Sequence, residues 1–94
     1  MVFERVLRRM REKVRTRQYV MTLHAEEEMN DDDLTIFDVE NCILTGRIVE
    51  RQRDKTTAEW KYRIIGETFD GSQAEIVTKL SITGKLVIVT VYLS

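Results

Sequence analysis

The chain has 94 residues, 15 of them Lys or Arg and 16 Asp or Glu, for a net charge of −1. That length allows one domain with one modest core over 1–94, and an apolar fraction of 43% argues against disorder. No run of about 18 apolar residues is present to span a membrane. The single Cys42 cannot form an internal disulfide, and no zinc-ligand spacing occurs. Cytoplasm is the default compartment, and no cofactor or metal is expected.

Phe3, Val6, Leu7, Met10 and Val14 form one apolar stripe, which predicts an amphipathic helix over about 3–15. Charges interrupt this pattern and no small-residue cleavage site follows, so the segment does not read as a secretory signal. Residues 1–18 carry seven Arg or Lys against Glu4 and Glu12. The helix is therefore basic, and it is either core or a docking arm that could lie on RNA. Tyr19–His24 alternates as a short strand, and Ala25–Met29 reads as a short helix. Thr35-Ile36-Phe37-Asp38 has the form of a capping box for a second helix. Ile36, Val39 and Ile43 make its stripe, and Gly46 is expected in a left-handed C-cap. Residues 24–40 hold eight acids and no Lys or Arg. Such a run reads as a solvated face or as an attraction for a basic partner.

From Arg47 the period becomes two. Arg47–Gln52, Glu59–Glu67, Ser72–Ser81 and Lys85–Leu93 read as strands, with turns at Asp70-Gly71 and Thr83-Gly84. Trp60, Tyr62 and Ile64 face one way, Lys61 and Arg63 the other. In the last strand Leu86, Ile88 and Tyr92 are expected opposite Val87, Val89, Val91 and Leu93. Both faces are largely apolar, so this strand should be interior. The order α-β-α-α-β-β-β-β gives an α+β fold. Its helices cover one face of a twisted, mainly antiparallel sheet of 4–5 strands and leave the other face partly open.

No phosphate loop, CxxC or HExxH is present. Cys42 reads as a core thiol. His24, at a strand-to-helix junction, is a candidate general acid or base. Lys61, Arg63 and Lys79 can share a sheet face, where they could hold phosphate oxygens and stabilise a charged transition state.

Thr22-Leu23-His24-Ala25, Met29 with a polar turn, Leu34-Thr35 with Asp38-Val39, Gly46-Arg47-Ile48-Val49-Glu50 and Val87-Ile88-Val89-Thr90-Val91-Tyr92 follow one another in a set order. In that order they resemble the domain-of-unknown-function family numbered 4258, over about residues 18–93. That family is thought to resemble the RelE/ParE-like toxin superfamily, small α+β domains, many of which cleave RNA without a metal. The resemblance implies a toxin-like endoribonuclease with RNA as substrate and an antitoxin-like protein as partner. His24 would be its acid or base, Tyr92 a second catalytic residue, and Lys61, Arg63 and Lys79 the phosphate-binding groups added from chemistry. The family places a basic residue after the methionine, where this chain has Asn30-Asp31-Asp32. The alternative is therefore a non-catalytic RelE-like module that binds a protein partner or forms a homodimer.

Overall fold

A computed structural model describes residues 3–94. The first two positions of the domain expected over 1–94 lie outside the described residues. The elements are α1 (Glu4–Arg15), β1 (Tyr19–Met21), α2 (Leu23–Asp31), α3 (Ile36–Thr45), β2 (Arg47–Arg53), β3 (Trp60–Glu67), β4 (Gln73–Leu80) and β5 (Leu86–Leu93). They follow the expected order. The sheet order is β1-β5-β4-β3-β2. Only the β1–β5 pairing is parallel; the other three are antiparallel. β5 is interior, as its two apolar faces predicted.

All three helices lie on one face of the sheet. Met10 and Val14 of α1 and Val39, Cys42 and Ile43 of α3 are buried there against Tyr62, Ile64, Ala74, Ile76, Leu86, Ile88 and Val91. Each fully buried aliphatic side chain contributes about 1.5–3 kcal/mol relative to exposure. α1 is therefore core and not a detached arm. No described element covers the opposite face.

Two details of the predicted elements differ. β1 ends at Met21, because the Thr22 side chain caps α2 by accepting from the Ala25 N–H at 3.1 Å. His24 thus sits in the first turn of a helix and not in a strand. The Thr35–Asp38 capping box forms as expected. Gly46, however, is extended (φ −88°, ψ −172°), not left-handed. The end of α3 is satisfied from elsewhere: the Arg11 guanidinium of α1 donates to the carbonyls of Ile43 (3.1 Å) and Gly46 (2.7 Å). A cation there also meets the negative end of the helix dipole.

Close approach explains the glycines at this seam. A Cβ on Gly46 would lie 2.4 Å from the Ile65 carbonyl oxygen, and one on Gly66 would lie 2.1 Å from that of Cys42. α3 and β3 pack backbone to backbone through these positions.

β2 and β5 each contain one extra residue. Ile48 pairs with Ile64 and Glu50 with Arg63, so Val49 has no partner. Thr78 pairs with Ile88 and Val77 with Thr90, so Val89 has none. Both bulges lie on the row through Arg63 and Val77. Each inverts the alternation of the residues that follow. Tyr92 consequently leaves the face of Leu86 and Ile88, where simple alternation puts it, and joins the open face. Val91 takes the buried side instead.

Gly66→Ala is expected to destabilise the fold by about 3 kcal/mol, because backbone atoms of both α3 and β3 would have to move. The check is urea unfolding: the midpoint should fall with the m-value unchanged.

Candidate functional site

The open face carries most of the sequence-predicted site. The register sets Arg63 beside Val77, Ile65 beside Glu75, and Glu75 beside Tyr92. Lys61 and Lys79 lie on the same face, one row away. Lys61, Arg63, Lys79 and Tyr92 are all half-buried. A depression of about 30 Å³ lined by Glu50, Gln52, Lys61, Arg63 and Val77 marks the centre. Trp60 and Tyr62 are on the helix face, as alternation predicted. Tyr62 is buried in the core.

A carboxylate that sequence reasoning did not single out joins these groups. The Tyr92 hydroxyl donates to Glu75 Oε2. Arg63 Nη1 donates to both Glu75 oxygens, at 3.2 and 3.1 Å, and Arg63 Nε donates to Glu50 at 3.2 Å. The Tyr92 hydrogen bond, followed by Arg63, holds the Glu75 carboxyl below its ordinary pKa. The same bond holds the Tyr92 phenol above its ordinary value. At neutral pH this gives an ionised carboxylate, a protonated phenol and a guanidinium in mutual contact. The signal for Glu75 was present in the alternation Ala74-Glu75-Ile76, but the bulge that brings Tyr92 beside it has no such signal.

The lysines are also paired. Lys79 Nζ lies 3.1 Å from Glu59 Oε1, and Lys61 Nζ lies 3.9 Å from Asp54 Oδ2. Both partners come from the loop between β2 and β3 or its edge. Both pairs are half-buried at the rim of the open face.

His24 lies apart from this cluster. Its side chain is 66% exposed, and Nε2 is 3.2 Å from Glu28 Oε1. Among the described residues no hydrogen bond or ion pair joins it to Lys61, Arg63, Lys79 or Tyr92. Glu28 has a structural task as well. β1 covers β5 only along Leu86–Ile88. Beyond that, Glu28 accepts the Val91 N–H at 3.1 Å and Asp32 accepts the Leu93 N–H at 3.0 Å. These two carboxylates, four residues apart on α2 and at its C-cap, replace the missing neighbour strand. Asp38 likewise accepts the N–H groups of Thr35 and Phe69 at 3.0 Å each. Thus three of the acids in the 24–40 run hold backbone donors, a use their charge alone did not suggest.

Cys42 is fully buried, and desolvation pushes its thiol up to about 11. It is packing material and not a nucleophile at neutral pH. No group of His, Cys, Asp and Glu among the described residues could hold a metal ion. No helix among them is long and apolar enough to cross a membrane.

Removing both edge carboxylates (Glu28→Ala with Asp32→Ala) should cost about 2 kcal/mol, since two strand donors lose their acceptors. Hydrogen exchange should quicken first at the Val91 and Leu93 amides. The amides paired between β3 and β4 should keep their protection.

No curated protein and no solved structure matches the chain. A family does match, over residues 21–93, the stretch from the end of β1 through β5. The chain belongs to the family described as the domain of unknown function DUF4258.

Proposed function

We propose that the protein is a RelE-like, toxin-like endoribonuclease of a toxin–antitoxin type system, acting without a metal from the open sheet face. The observation that carries this reading is the convergence of Arg63, Glu75 and Tyr92, from three adjacent strands, into one hydrogen-bonded set with Lys61 and Lys79 beside it. Three positively charged side chains next to a carboxylate and a phenol suit a reaction at a phosphodiester.

In the proposed reaction the Glu75 carboxylate takes the proton from an RNA 2′-hydroxyl. The 2′-oxygen bonds to the adjacent phosphorus, and the bond from phosphorus to the 5′-oxygen breaks. Tyr92 gives its proton to the departing 5′-oxygen and is reprotonated by Glu75. Arg63 stabilises the charge on the pentavalent phosphorane, and Lys61 and Lys79 hold phosphate oxygens once released from Asp54 and Glu59. The products are a 2′,3′-cyclic phosphate and a 5′-hydroxyl. His24 has no role in this scheme, because its partner is the edge carboxylate Glu28.

A second reading has its own support. Lys61, Arg63 and Lys79 are each paired with a carboxylate, and His24 stands among acids. That arrangement favours a non-catalytic module whose open face takes a protein partner or a second copy.

The experiment is cleavage of a defined RNA by the purified protein in the presence of a chelator, with the ends of the products identified. Glu75→Gln should lower the rate by about 10²–10⁴-fold, the range for loss of a general base, and Arg63→Ala by about 10²–10³-fold. The rate should rise as pH increases through the lowered Glu75 pKa, be level at neutrality, and fall above the ordinary tyrosine value of about 10. Cleavage abolished by His24→Ala but not by Glu75→Gln would return the acid–base role to His24. No cleavage by the folded wild type would leave the binding-module reading.

A further inference from the structure

We infer a second site on the helix side of the molecule: Arg51, Arg53 and Trp60, with the outer face of α1, form a docking surface for single-stranded RNA. The ligand class rests on the ribonuclease reading; the surface itself rests on separate observations.

The first observation is the set of stacked side chains. Trp60 is 38% exposed. The guanidinium carbons of Arg51 and Arg53 lie 4.0 and 4.8 Å from its ring centroid. Arg51 also lies 5.9 Å from the Phe3 ring, which meets Tyr62 edge-on at 6.0 Å. Phe3 directly precedes α1, so the stack is continuous with the start of that helix.

The second observation is charge. Lys61, Arg63 and Lys79 on the open face are ion-paired, but Arg51, Arg53, Arg5, Arg8 and Arg9 are exposed and have no carboxylate partner among the described residues. Uncompensated positive charge is what releases counterions from a phosphate backbone. The field that attracts RNA therefore centres on this side, not on the face proposed for the chemistry.

The third observation is the device that builds the patch. Arg53 pairs with Trp60 and Arg51 with Tyr62 only because Val49 is an extra residue in β2. In an unbulged strand, Arg51 and Arg53 would point to the open face. The bulge brings two guanidiniums to the one exposed indole.

An exposed cation–π contact is weaker than stacking of a base on an aromatic ring. A nucleobase can take the place of one guanidinium on Trp60, and the freed arginine can reach the neighbouring phosphate. An acidic peptide offers Arg51 and Arg53 a charge but offers Trp60 no ring, which decides between the two ligand classes.

Trp60 is the only tryptophan, so its emission reports on the patch directly. The probe is a 2′-O-methyl oligouridylate of about 12 nucleotides, within the span of single-strand sites. It lacks the free 2′-hydroxyl and cannot be cleaved. Saturable quenching is expected. Arg51→Gln with Arg53→Gln should weaken binding about tenfold or more, and should make the slope of log K against log salt shallower by about 1.4, for two single-strand phosphate contacts. Arg17→Gln with Lys85→Gln removes the same charge from exposed positions elsewhere and should change affinity much less. Equal losses in the two double variants, absence of quenching, or equal quenching by poly-glutamate would each overturn the site. RNA cleavage without Trp60 quenching would overturn this site alone. Quenching without cleavage would overturn the ribonuclease reading and leave the site standing.

Discussion

Alternation along a strand is strict, so one extra residue changes the face of everything beyond it. Val49 and Val89 do this in β2 and β5 on a single transverse row of the sheet. Between the two bulged strands, β3 and β4 keep an unbroken register. The consequences fall on opposite sides of the molecule. The β5 bulge brings Tyr92 to Glu75 on the open face. The β2 bulge sends Arg51 and Arg53 to Trp60 on the helix side. Without the two bulges, a tyrosine would compete for core space and the open face would gain two more arginines.

Carboxylates perform much of the remaining structural work, and this explains an acidic run beside a basic helix. Glu28 and Asp32 complete the hydrogen bonding of β5 where β1 stops. An uncovered strand edge would otherwise invite pairing with another chain. Asp38 closes the start of α3 and also ties down the hairpin that follows β3. On the open face, Glu50, Asp54, Glu59 and Glu75 hold the cations in place. The result is charge separation by surface: balanced on the open face, acidic along α2, and unbalanced and basic around α1 and Trp60.

The contact of α3 with β3 is closer than side-chain packing permits. It requires Gly46 and Gly66, and it places Cys42 where no solvent reaches. Arg11 locks this seam from α1 by taking the carbonyls at the end of α3. The basic helix therefore has two roles. One arginine caps a helix inside the fold, and the others remain in solvent.

Local patterns were legible in the sequence because their causes are local. The period of the apolar residues gave α1 and the four long strands, Thr35 and Asp38 gave the capping box, and two apolar faces gave an interior β5. The shared face of Lys61, Arg63 and Lys79 was also legible, since β3 and β4 keep regular alternation. Tyr92 was legible as a candidate, but not the face it occupies. Glu75 acquires meaning only from a tyrosine 17 positions later and an arginine 12 positions earlier. His24 was visible as the lone histidine, yet its partner is an edge carboxylate and not a cation. Period and capping depend on neighbours in the chain, and the sequence alone determined them. Bulges, strand edges and ion pairs depend on which strands meet and in what register, so only the tertiary structure decided them.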